Sequence, residues 1–239
     1  MLQMTNNIES TSLRKIARIA GILYLIIIVS GIFSEMVVRA NLVVPGDATA
    51  TANNIIASKS LFRIGFASDL IMVISDIGVA LAFYLLLKSV NKGLSLLAAF
   101  FRLTQASILA INLLNHFTAV LLLNGASYLA VFETEQLHSL VMLFLNMHAH
   151  GYLISGVFFG LSCFVLGYLF LKSDYLPRIL GVLLIFATFG YLTDSFTNFL
   201  LPNYAVITEW LVVASAVIAE LTLCVWLLLK GVRETKKKS

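Results

Sequence analysis

FRLTQASILAINLLNH, residues 101–116, decides the reading of this chain: it is apolar enough for a bilayer yet carries Arg102, Gln105, Asn112 and His116. At about 100° per residue, these four side chains fall within roughly 80° of one another on a helix and form one stripe. Hydrocarbon offers no hydrogen bonds, so such a stripe turns inward, toward other helices or trapped water. The remaining apolar runs then read as walls around it.

Hydrophobic residues make up 60% of the 239 residues and charged residues 12%, where a soluble domain carries about 25% charge. The mean hydropathy of +0.96 agrees. The chain therefore reads as an all-α integral membrane bundle, with no polar stretch long enough for a soluble domain. Its formal net charge of +4 does not point to nucleic acid, because the basic residues cluster at the ends of apolar runs, where they set orientation. Cys163 and Cys224 lie within apolar helices and read as small packing residues rather than half of a disulfide framework.

Six spans are expected, at about 16–38, 62–87, 94–123, 148–171, 179–200 and 207–229, in one transmembrane domain covering 1–239. The first is too long for a signal h-region and lacks a small-x-small cleavage site, so it reads as an uncleaved span. Between the first two, Pro45-Gly46 and DATATANNIIAS predict a short outer-loop helix capped by Asp47 or Thr49. From Leu137 to Leu171 the chain is apolar for longer than one crossing needs. Residues 134–147 are therefore expected at the interface or beyond it, with a bend at His150-Gly151. His138 reads as an exposed loop residue.

With both termini inside, the cytoplasmic side takes Arg14, Lys15, Arg18, Lys88, Lys92, Lys172, Arg178, Lys230, Arg233 and Lys236–Lys238, the last five from a basic tail at 230–239. The outer side takes only Arg39, Lys59 and Arg63, and Arg102 is left within the membrane. Twelve against three is the asymmetry of a chain with cytoplasmic ends in a plasma membrane. The second, fourth and sixth spans end YLLLKS, YLFLKS and WLLLKG. Duplicated hairpins are one explanation of that likeness; the favoured one is an aromatic at the headgroups and a snorkelling lysine at each exit.

Depth follows from the distance to the nearest cytoplasmic Lys or Arg at about 1.5 Å per residue. By that measure Asp76, Arg102, Gln105 and Glu220 form a midplane layer, and Arg102 is expected to contact Asp76, Glu220 or both. A second storey, toward the outside, holds Glu35, Asp69, Asn112, His116, His150, Tyr191, Asp194 and Asn198, which read as lining an outward-facing polar cavity. His148 and His150 point about 200° apart on a helix and cannot share one ion. No metal site is therefore assigned, the alternative being His116, His150 and Asp194. Gly156, Gly160, Cys163 and Gly167 share one face, a small-residue stripe suited to packing inside the chain.

The phrase FFGLSCFVLGYLFLKSDYLPRILG (158–181), with RKIARIAGILYLI near the start and LAAFFRLTQA in the third span, resembles a bacterial multi-pass membrane family catalogued only as a domain of unknown function. The resemblance implies a bacterial plasma-membrane protein and carries over no site residues.

No phosphate-binding glycine loop, HExxH or GxSxG pattern is present, and no lysine sits mid-span to carry a Schiff base. No cofactor is expected. The favoured reading is a protein that binds or transports a small molecule through the polar cavity. One alternative is a non-catalytic structural or sensory factor. Another is a metal-dependent intramembrane lipid hydrolase using His116, His150 and Asp194, with Glu35 or Asp69 as base. The expected partners are the bilayer and a small-molecule or lipid ligand. The sequence is silent on oligomeric state.

Overall fold

The computed structural model describes residues 2–232, with side chains from Ser12 onward. Arg233 and Lys236–Lys238 of the basic tail lie outside the described residues. The chain runs through α1 (Leu2–Ile32), a π-helical segment (Phe33–Arg39), α2 (Ala40–Leu42), α3 (Ala48–Ala57), α4 (Lys59–Leu87), α5 (Lys92–Leu122), α6 (Thr134–Lys172), α7 (Arg178–Leu200) and α8 (Ala205–Leu229). No strand occurs among the described residues. Among the described residues, six helices are long and apolar enough to cross a membrane, with spans at Ser12–Leu42, Lys59–Leu87, Lys92–Leu122, Thr134–Lys172, Arg178–Leu200 and Pro202–Leu229. The protein is an all-α membrane bundle.

Local chemistry accounts for the helix ends. The Asp47 carboxylate accepts from the Ala50 amide and caps α3, while Thr49 instead meets His138 Nδ1 at 3.4 Å. His138 is thus a buried residue of α6, not an exposed loop residue. The reason is that α6 begins at Thr134, earlier than the membrane thickness alone requires, and its first turns pack against α3. Helical hydrogen bonding also continues through His150-Gly151, where a bend was expected. Between α6 and α7, the Tyr175 hydroxyl donates to the Leu86 carbonyl. Burial pushes its pKa above the usual tyrosine value, so it stays a donor.

By packing, the chain forms two compact units: residues 1–25, 75–106 and 153–239 make one, and residues 26–74 with 107–152 the other. In the first unit, the stripe on α6 lies against α7, with Gly156 near Ser195 and Gly160 near Tyr191 and Thr188. The Thr188 hydroxyl donates to the Gly160 carbonyl at 3.0 Å, and Ser162 donates to the Ala98 carbonyl on α5 at 3.0 Å. Cys163 and Cys224 are free and buried. In the second unit, Val38, Leu42, Ile55, Phe62, Ala119, Val120, Val141 and Leu145 form one apolar cluster. The Ser34 hydroxyl donates there to the Gly65 carbonyl at 2.9 Å, joining the π-helical segment to α4.

The α6–α7 backbones approach closely at Gly167, where a methyl group would lie 2.7 Å from both the Gly181 carbonyl oxygen and Ile185 Cγ1. Gly167→Ala is expected to destabilise the detergent-solubilised protein by about 1–3 kcal/mol through overpacking. Gly93→Ala, whose added methyl meets only Asn91 at an ordinary 3.6 Å, should be neutral or stabilising by up to about 1 kcal/mol. Thermal unfolding of the two variants beside the parent checks both.

Candidate functional site

Polar side chains gather in two buried clusters, one in each unit. In the first unit, α4 and α5 place Asp76 and Arg102 opposite each other, 3% and 1% exposed. Arg102 donates from Nε (2.9 Å) and Nη2 (2.6 Å) to the same oxygen, Asp76 Oδ1. Gln105, one turn on from Arg102, donates from Nε2 to Asp76 Oδ2 at 3.0 Å. The guanidinium carbon sits 5.0 Å from the ring centroids of both Tyr24 and Phe159. Two aromatic faces thus cover the cation, a favourable arrangement where water is excluded.

Donors and acceptors around Asp76 are not used up. Arg102 Nη1 and Gln105 Oε1 are buried with no hydrogen-bond partner. The Tyr24 hydroxyl is fully buried beside the guanidinium and interacts with it. Glu220 bonds Tyr191, whose hydroxyl donates to Glu220 Oε1. Arg102 therefore makes its ion pair with Asp76 alone of its two expected partners. Asp194 is held separately, accepting at Oδ1 from Thr208 (2.9 Å) and Asn198 (3.1 Å).

The second cluster centres on Asp69, fully buried on α4. Arg39 Nη1 donates to Asp69 Oδ2 at 2.6 Å, and Arg39 Nε donates to Glu35 Oε2 at 2.8 Å. Both residues come from the π-helical segment, whose wider turn departs from the α-helical register there. Arg39, just past the expected end of the first span, is accordingly still helical. Its side chain is only 11% exposed, while that of Glu35 is 67% exposed. The Tyr152 hydroxyl approaches Asp69 Oδ1 at 3.5 Å, and the Arg39 guanidinium lies over the Tyr152 ring at 5.5 Å.

His116 of α5 stands beside this pair, with Nδ1 3.8 Å from Asp69 Oδ2. Its ring packs on Phe62 (4.2 Å between centroids) and meets His148 edge-on at 5.1 Å. Asn112 and His148 bond reciprocally: Asn112 Nδ2 donates to the His148 carbonyl at 2.8 Å, and His148 Nδ1 lies 3.2 Å from the Asn112 carbonyl. A carbonyl only accepts, so His148 carries its proton on Nδ1 and turns the Nε2 lone pair away. Asn115 closes the network by donating to Asn112 Oδ1 at 3.0 Å. Gly151 leaves room for all of this, since a methyl group there would lie 2.2 Å from Asn112 Cγ and Oδ1.

The predicted site residues thus divide. Asp76, Arg102 and Gln105 meet, as do Asp69, Asn112 and His116. Glu35 joins the latter group only through Arg39. Tyr191, Asp194 and Asn198 belong to the first unit, with Tyr191 tied to Glu220. His150 does not enter either cluster, because it lies on the exposed side of α6 with Nδ1 2.8 Å from its own helix's Asn146 carbonyl. Among the described residues, the group that His116 joins is Asp69 and His148. His148 takes the inward position on α6, and Arg39, Tyr152, Tyr24 and Phe159 are further members that the sequence reading omitted. The signal for Arg39 was its i, i+4 spacing from Glu35.

The family model described as "Domain of unknown function (DUF4386)" matches residues 19–231. The chain belongs to this family. An uncharacterized protein of Archaeoglobus fulgidus is 32% identical over 161 residues, which cover 67% of this chain and 80% of that relative. No solved structure matches.

Truncating either member of the central pair strands a buried charge. Asp76→Leu or Arg102→Met alone is expected to cost about 3–5 kcal/mol, and the double variant clearly less than the sum. A double-mutant cycle on thermal unfolding reads the coupling directly. Additive costs would show that the two side chains do not depend on each other.

Proposed function

We propose that the protein is a plasma-membrane, multi-pass binder or carrier of a small polar molecule, with both termini in the cytoplasm and its ligand taken up beside Asp76 and Arg102. The observation that carries this reading is the set of unused groups around one carboxylate. Arg102 Nη1 offers a donor and Gln105 Oε1 an acceptor. Buried polar atoms of this kind are normally partnered, and leaving one unsatisfied costs about 1–3 kcal/mol. A ligand carrying one acceptor and one donor restores all of that. Because Asp76 already neutralises Arg102, the site favours a neutral or zwitterionic molecule, such as an amide, a hydroxy compound or an amino acid. The aromatic faces of Tyr24 and Phe159 would flank it.

Purified protein in lipid nanodiscs, screened by thermal shift against amides, polyols and amino acids, tests this. A true ligand at about 100 times its Kd stabilises by about 2.7 kcal/mol, a shift of a few degrees. Gln105→Leu keeps the Arg102–Asp76 bonds but removes the acceptor, so the shift should vanish in that variant. Silence across the panel with the parent protein defeats the proposal.

The orientation rests on the Lys/Arg bias. In intact cells, an impermeant maleimide should label Glu133→Cys and spare Ser89→Cys until the membrane is opened. The reverse pattern would invert the topology.

A further inference from the structure

We infer that Asp69, His116 and His148 form a binding site for a divalent transition metal ion of the zinc type. This site is separate from the Asp76–Arg102 layer and belongs to the second unit. Among the described residues, these three bring one ligand atom each, from α4, α5 and α6, to within 4.8 Å of one another. They are 0%, 0% and 2% exposed. Both ring nitrogens of His116 and Nε2 of His148 are buried without a hydrogen-bond partner. Three unused imidazole nitrogens beside a carboxylate in an apolar interior are difficult to account for as packing, since each forfeits its interaction with water. A neutral imidazole offers one lone pair, so a cation would engage one nitrogen of His116 and Nε2 of His148, leaving the other His116 nitrogen as an N–H on the Asp69 side of the site.

The surroundings suit a metal in detail. Ligating histidines normally donate their other N–H to a carbonyl or carboxylate, which fixes the tautomer and aims the ring. His148 does this through Nδ1 and the Asn112 carbonyl, and Asn112 is itself held by Asn115. Tetrahedral zinc at about 2.0–2.1 Å from its ligands sets them about 3.3 Å apart, so ligand atoms now up to 4.8 Å apart have to close by up to about 1.5 Å. Two neutral imidazoles favour a borderline ion over magnesium or calcium.

Three protein ligands leave a fourth position open, the pattern of reactive rather than purely structural sites. Charge indicates what fills it. Asp69 and Glu35 supply two negative charges against the divalent ion and Arg39, leaving one positive charge over. A hydroxide or an anionic group in the fourth position balances it, with Arg39 and Tyr152 alongside.

Protein purified without chelator and without a histidine tag, then titrated with Co²⁺, tests the assignment. One equivalent of Co²⁺ should bind and give the intense visible absorption of a tetrahedral site, displaced by one equivalent of Zn²⁺. His148→Ala and His116→Ala should weaken binding at least tenfold, whereas His150→Ala, two residues along on the exposed side, should leave it unchanged. The parent titration stands even if a variant fails to fold. Absence of a stoichiometric site in the parent, an octahedral spectrum, or equal loss in His150→Ala overturns the proposal. A ligand shift lost in Gln105→Leu with no metal bound would separate the two sites.

Discussion

Charge inside hydrocarbon is the constraint on which the rest of this protein depends. A carboxylate or guanidinium at the bilayer centre costs about 2.5–3.5 kcal/mol even on the most lenient scale. Asp76 and Arg102 meet that demand with two bonds to one carboxylate oxygen, a third from Gln105, and aromatic faces over the cation. These contacts require α4, α5, α6 and the part of α1 around Tyr24 to present fixed faces to one another. A buried pair of this sort adds little net stability relative to apolar side chains. What it supplies is register, because any rotation of α4 or α5 strands a charge.

The same constraint acts in the second unit with different chemistry. There the cation, Arg39, comes from the end of the first span, and the π-helical segment changes the facing of the side chains that follow. Asp69 is shared among Arg39, Tyr152 and His116. The unit therefore concentrates nitrogen and oxygen ligands instead of simply cancelling charge. Two polar clusters with different unused groups, donor and acceptor around Asp76 and lone pairs around Asp69, support distinct readings for each.

Much of the first cluster was legible. Arg102 and Gln105 lie one turn apart, and counting from Lys88 and Lys92 sets Asp76 and Arg102 at the same depth, so their contact follows from helix geometry. Glu220 lies at that depth too, yet it bonds Tyr191. Depth does not encode which neighbouring helix a carboxylate faces. On α6, His148 and His150 point to opposite sides, and the spacing shows only that they diverge. Which one faces inward is settled by the Asn112 amide, and by Gly151 leaving space for it. The first span was expected to end before Arg39, since a charge at the edge of an apolar run ordinarily marks the water boundary; the helix continues past it because Asp69 and Glu35 compensate the charge.

By itself the sequence determined the class of the protein, the number of its spans, the need to turn polar stripes inward and the small-residue seam on α6. Those features depend on composition and on the local period of a helix, which each segment carries alone. The tertiary structure decided the partners: Asp76 with Arg102, Tyr191 with Glu220, Arg39 with Asp69, and His148 rather than His150 beside His116. Partner choice depends on the rotation of each helix about its own axis, and that rotation is fixed only when close contacts such as Gly151 on Asn112 and Gly167 on Gly181 bring the faces together.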